Sequence, residues 1–151
     1  MVKTFANKEM PGVKFFGWGP DLNPTIYTDD QSSYAELWGG ITPTFWDYAT
    51  FPPNTGLGWT ERWQPVARTG GVSFANAWGT VSVTGNTVRV LPVRRIEGAT
   101  LAIRNTSGIT TTYPVNAYPD KPATISTNGQ AAEIEVLGAD GKSLIKGVPV
   151  R

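Results

Sequence analysis

The chain reads as an all-β protein, most simply an antiparallel β-sandwich, and three observations point there. Seventeen Gly and twelve Pro punctuate the 151 residues every few positions, and no convincing helix of three turns reads out of the runs between them. The runs between them are rich in Val, Ile, Thr and aromatic residues, which fit a pleated, half-buried surface. Several neighbouring runs pair in register through recognisable turns, as follows.

The expected strands are Val13–Gly19, Ser33–Gly39, Thr44–Phe51, Leu57–Val66, Val72–Ala77, Thr80–Thr84, Thr87–Val93, Thr100–Asn105, Ile109–Val115, Ala123–Thr127, Glu133–Leu137 and Ser143–Lys146. A two-residue turn at Gly85-Asn86 sets Val83 opposite Val88 and Val81 opposite Val90, so one apolar face forms without a misfit. A three-residue loop Thr106-Ser107-Gly108 sets Ile103 opposite Thr111 and Leu101 opposite Tyr113, with Gly108 free to take a left-handed conformation. The loop around Ala139-Asp140-Gly141 joins the last two strands. The result is a meander of antiparallel strands.

The length suits one domain. All six Trp lie at or before Trp78, so a soft lobe boundary is expected near residues 79–85, between an aromatic-rich lobe (1–80) and a Thr- and Val-rich sheet lobe (81–151). Thirteen Lys and Arg against twelve Asp and Glu leave a formal net charge of +1, with no block of like charges. Electrostatic nucleic-acid binding is therefore not expected. The chain has no Cys and no His, which excludes disulfides, thiolate chemistry, imidazole acid–base catalysis and the usual zinc ligands within it. No cofactor is expected. Residues 1–20 lack the apolar core of a signal peptide, and no run approaches the roughly 18 apolar residues of a membrane helix. A soluble, cytoplasmic chain is the default expectation.

Chemistry, if any, falls to the aromatic-flanked carboxylates. In a strand, Tyr34, Glu36 and Trp38 share one face, and Trp59, Glu61 and Trp63 share another. A carboxylate that accepts hydroxyl hydrogen bonds, set between rings whose faces pack on C–H surfaces, is a sensible holder of a sugar. Trp46 joins this candidate ligand-facing set. The competing reading is structural: aromatic strands build cores, and a Glu among them pairs with Arg62, Arg68 or Arg94. Both readings stand at this point. For Asp47, between Trp46 and Tyr48, a turn-anchoring role is the better expectation.

Three weaker signals are set aside. "GADGKS" ends like a phosphate-binding loop, but Val136 stands where its first Gly belongs, so nucleotide binding is rejected. Asp29-Asp30 lacks the ligand spacing of a calcium loop. Asn105-Thr106-Ser107 is a formal glycosylation sequon best explained by chance.

The stretches "YAELWGGITPTFWDYATF", "GLGWTERWQPV" and "GGVSFAN", with "PGVKFFGWG" and "RRIEGATLAIRN…LGADGKSLIKG", resemble the C-terminal part of uncharacterised bacterial proteins. These have a galactose-mutarotase-like β-supersandwich, and some carry tetratricopeptide repeats. The resemblance implies a carbohydrate-binding or carbohydrate-associated module. Through a more distant likeness to aldose epimerases, it also implies that Glu36 matches the general base at the sugar's anomeric hydroxyl; those enzymes take their acid from histidine, and in this histidine-free chain an enzyme reading leaves the acid to Tyr34 or a water. A supersandwich needs a longer chain and supplies its acid from histidine, so the resemblance implies binding rather than turnover. It further implies edges and an aromatic face that favour self-association or docking on another domain of a longer parent.

Overall fold

A computed structural model describes residues 2–5, 11–17, 24–32 and 34–149. Trp18 and Gly19 of the expected first strand, and Ser33 of the second, lie outside these residues. Two compact units are present, one taking in the chain up to Thr4 and from Arg62 onward, the other Phe5–Glu61.

The first unit is an antiparallel β-sandwich. One sheet holds β5 (Phe74–Asn76), β6 (Gly79–Thr84), β7 (Thr87–Pro92) and β10 (Ala123–Ser126), in the order β10-β7-β6-β5. The other holds β8 (Ile96–Asn105), β9 (Thr110–Ala117), β11 (Ala131–Leu137) and β12 (Ser143–Gly147), in the order β12-β11-β8-β9. A separate two-stranded sheet pairs β1 (Val2–Phe5) with β4 (Glu61–Gln64). The expected hairpins form in the expected registers: Val81 opposite Val90 and Val83 opposite Val88, Leu101 opposite Tyr113 and Ile103 opposite Thr111. Gly85 makes the first turn possible with φ of 55°, a left-handed value that costs a residue without Cβ little. Residues 79–85, where the composition changes, are β6 and the start of this turn.

Alternation along these strands puts Val81, Val88 and Val90 of one sheet, and Leu101, Ile134, Val136 and Ile145 of the other, in one fully buried cluster. Thr80, Ser82 and Leu91, on the other face of β6 and β7, are buried too; Gln64 donates from Nε2 to Leu91 O at 3.2 Å, and Ser73 N continues the β5–β6 ladder by donating to Val81 O at 2.8 Å. On one side the sheets are clasped together. Asn76 Nδ2 donates to Leu144 O at 2.8 Å, and Phe74 fills the place where a Cβ on Gly147 would lie 2.6 Å from its ring.

The second sheet's outer face carries a charge ladder. Register sets Glu133 opposite Arg104 and Glu135 opposite Lys146. Glu133 meets Arg104 at 2.6 Å and Lys146 at 3.2 Å, and Lys146 meets Glu135 at 3.2 Å. Opposite charges across strands stabilise a pairing modestly.

The second unit is built differently. Here β2 (Gly12–Gly17) and β3 (Ala35–Gly40) form a two-stranded antiparallel sheet, with Lys14 opposite Trp38 and Phe16 opposite Glu36, and Pro24–Tyr27 forms a single helical turn, α1. The expected strand Thr44–Phe51 does not form. Asp47 Oδ2 accepts from both Thr44 N and Thr44 Oγ1 at 2.8 Å, and Thr44 Oγ1 accepts from Trp46 N at 3.2 Å. These side chains take the backbone donor that a ladder would use, and prolines flank the segment at 43 and 52–53. The expected strand Leu57–Val66 contracts to β4, since Gly56 and Gly58 weaken one end and Pro65 stops the other.

Two outcomes follow. Leu101→Ala, which empties a fully buried site between the sheets, lowers stability by about 2–5 kcal/mol, read from urea unfolding of the two proteins. The ladder adds an acid-sensitive contribution: hydrogen bonds and charge from Lys146 hold the Glu133 carboxyl below its ordinary value, and bonds from Ser143 and Lys146 do the same for Glu135. A depressed folded pKa gives stability that is complete above the ordinary value near 4.5 and is lost as pH falls through the lower folded value. Glu133→Gln therefore narrows the stability gap between neutral and acidic pH, checked by urea midpoints across that range.

Candidate functional site

β3 and the irregular segment after it position most of the candidate residues. Tyr34 and Glu36 project to the same side, as period-two alternation requires, and the Tyr34 hydroxyl donates to Glu36 Oε2 at 2.5 Å. The Tyr34 ring stacks on Tyr27 of α1, with centroids 5.2 Å apart and planes 21° from parallel. Trp38 meets Phe45 edge to face at 5.3 Å, with planes at 82°, a favoured aromatic geometry. Trp59 Nε1 donates to Glu61 Oε1 at 2.9 Å. Each carboxylate is thus engaged by an aromatic donor two residues before it. Arg94 packs over Trp78 at 3.9 Å and Arg68 donates to Asp120 O at 3.0 Å, so neither serves as the expected arginine partner.

The aromatic-rich run is not a sealed core. Residues 43–60 are exposed throughout; Trp46 is 86% exposed, and Trp38 and Trp59 are 41% and 45%. Both faces of β3 reach solvent, since Leu37 is exposed as well as Trp38. Asp47 is a turn anchor through its Thr44 bonds. Trp63 lies in the other unit, on β4, half-buried with the Lys3 ammonium 4.6 Å from its ring centre.

Two concavities in the sandwich unit are lined by residues that, Trp63 apart, the sequence did not mark. A cleft of about 290 Å³ is lined by Trp63, Gln64, Pro65, Pro92, Val93 and Pro119. A groove of about 550 Å³ runs between the edge strands β9 and β10, past Pro114, Tyr118, Lys121 and Pro122. Their common signal is proline at strand ends, which is legible only once the strands are placed. Among the described residues no group of three or more Asp, Glu, His or Cys is placed to hold a metal ion, and no helix is long and apolar enough to cross a membrane. No protein-family model, curated protein or solved structure matches the chain.

The Tyr34–Glu36 bond has a measurable signature. The bond to Glu36, then desolvation and the negative charge of Glu36, raise the Tyr34 phenol above its ordinary pKa, because the neutral hydroxyl is the donor. The Tyr118 phenol, which donates to Glu97, is raised in the same way, so phenolate absorbance in a base titration shows two tyrosines ionising above the others, and Glu36→Ala brings one of them back.

Proposed function

We propose that this chain is a carbohydrate-binding or carbohydrate-associated β-sandwich module, of the kind found in galactose-mutarotase-like supersandwich proteins of bacteria, and that it holds a sugar rather than converting it. One observation carries the reading: Trp38, Trp46 and Trp59 stand exposed while Glu36 and Glu61 lie beside aromatic rings of the same segment. Rings open to solvent offer the flat apolar faces on which sugar C–H groups stack, and adjacent carboxylates accept hydroxyl protons. Within the Phe5–Glu61 unit the ligand-facing set is Tyr34, Glu36, Trp38, Trp46, Trp59 and Glu61. For turnover Glu36 is the natural base. The absence of histidine and the donation of the Tyr34 hydroxyl to Glu36 itself favour holding over proton transfer.

A second reading is supported by the same exposure. Eighteen consecutive exposed residues, 43–60, that include Phe45, Trp46, Tyr48, Phe51 and Trp59 form a surface suited to packing on another domain of a longer parent or on a second copy.

Titration with a broad panel of mono- and oligosaccharides, followed by Trp fluorescence and NMR shifts, separates the readings. Binding appears as a saturable change that Trp46→Ala weakens and Glu36→Gln reduces by about tenfold or more, as expected for loss of a charged hydrogen-bond acceptor. Silence across the panel removes the sugar reading, and self-association in size-exclusion chromatography with light scattering then supports the packing one. Glucose and galactose mutarotation above the uncatalysed rate, abolished by Glu36→Gln, reinstates an enzyme.

A further inference from the structure

The chain contains one Asn-Gly and one Asp-Gly dipeptide, Asn128-Gly129 and Asp140-Gly141. Both sequences are open to the same reaction, attack of the glycine amide nitrogen on the preceding side-chain carbonyl carbon, because glycine has no Cβ to crowd the approach. The structure treats them oppositely. Asn128 and Gly129 are exposed in the loop from β10 to β11, and Gly129 sits at φ of 106°, a conformation reserved for glycine. Among the described residues the Asn128 carboxamide has no hydrogen bond and the Gly129 N–H donates none; Gly129 is held only at its carbonyl, which accepts from Thr127 Oγ1 at 2.8 Å. At the other dipeptide, Gly141 N donates to Gly138 O at 2.9 Å, and Asp140 accepts from Lys142 N at 3.1 Å while meeting Lys142 Nζ at 2.9 Å.

We infer that Asn128 is a site of spontaneous deamidation and that Asp140, despite its equally susceptible sequence, is protected by the fold. The Gly129 nitrogen gives up its proton to solvent base and bonds to Asn128 Cγ, and the side-chain amide leaves as ammonia, closing a succinimide. Water then adds to either imide carbonyl. Opening on one side gives aspartate; opening on the other gives isoaspartate, whose main chain runs through Cβ and Cγ. Asparagine and water become an acid and ammonia, with no change of oxidation state.

The other described asparagines lack this combination. Asn76, Asn105 and Asn116 have side chains tied into hydrogen bonds, to Trp78 N and Leu144 O, to Ser107 N and Ile109 N, and to Gly98 N. Asn54 and Asn86 precede threonine, whose branched Cβ hinders attack. Lys142 also keeps the Asp140 carboxyl ionised to lower pH than usual, so the neutral acid that can lose water is scarce. The change at Asn128 has two consequences. It takes the formal net charge from +1 to zero, and isoaspartate adds a main-chain atom between two anchored points. These are Thr127, whose N–H and hydroxyl both donate to Asn86 O, and the buried Ala131.

The test is incubation of the folded chain at mildly alkaline pH and body temperature, with ion-exchange separation of acidic species and peptide mapping for isoaspartate. Acidic material accumulates and maps to Asn128, and Asn128→Gln removes it. Unfolding in urea accelerates isomerisation at Asp140 by releasing Gly141 N and the Lys142 contacts. The inference is overturned if Asn54 or Asn86 is modified as fast as Asn128, if Asn128→Gln acidifies at the wild-type rate, or if folded and unfolded chains isomerise at Asp140 equally.

Discussion

The sandwich unit depends on one layer of side chains, in which Val81, Val88 and Val90 meet Leu101, Ile134, Val136 and Ile145 with no exposure to water. Burial of this kind is the main favourable term in folding, and here it fixes more than stability. A slip of one residue in any strand would turn its valines outward. The layer therefore also sets the registers that bring Arg104 opposite Glu133 and Lys146 opposite Glu135 on the far side of the second sheet.

The two units use aromatic residues in different ways. In the sandwich unit the rings carry cations of the same chain: Lys3 over Trp63, Arg94 over Trp78 and Arg95 over Tyr118. Such pairing covers a ring face and retains the cation beside it. Trp46, at the opposite extreme, is almost wholly in solvent. An indole so placed gains little from the folding of its own segment, which is the ground on which we propose a ligand or a packing surface for it.

The sandwich was largely legible in the sequence because its signals are local. Strict alternation around Gly85-Asn86 and Thr106-Ser107-Gly108 gave two registers residue by residue, and period two placed Tyr34 with Glu36 and Trp59 near Glu61. The segment after β3 was not legible in the same way. Its aromatic content favoured a strand, but Thr44 and Asp47 satisfy one another and the backbone locally, a preference that composition does not express. Exposure of the candidate site was also hidden. Whether an aromatic face is covered depends on which other strands lie over it, and that information is not local to the face. The same holds for β1, a four-residue strand that pairs with a partner far along the chain.

The clasp between Asn76 and the Leu144 carbonyl, with Phe74 seated over Gly147, bears on the order of assembly. It joins positions 68 residues apart, and closing so long a loop is entropically costly before any contact rewards it. During synthesis the β6–β7 hairpin can pair as soon as Pro92 has emerged, whereas Phe74 and Asn76 of the edge strand β5 lack their partners until β12 is made. In that interval Phe74 and the strand beside it are the part of the nascent sandwich most open to pairing with a neighbouring chain. The small residue at 147 is what lets the last strand arrive flush and end that exposure.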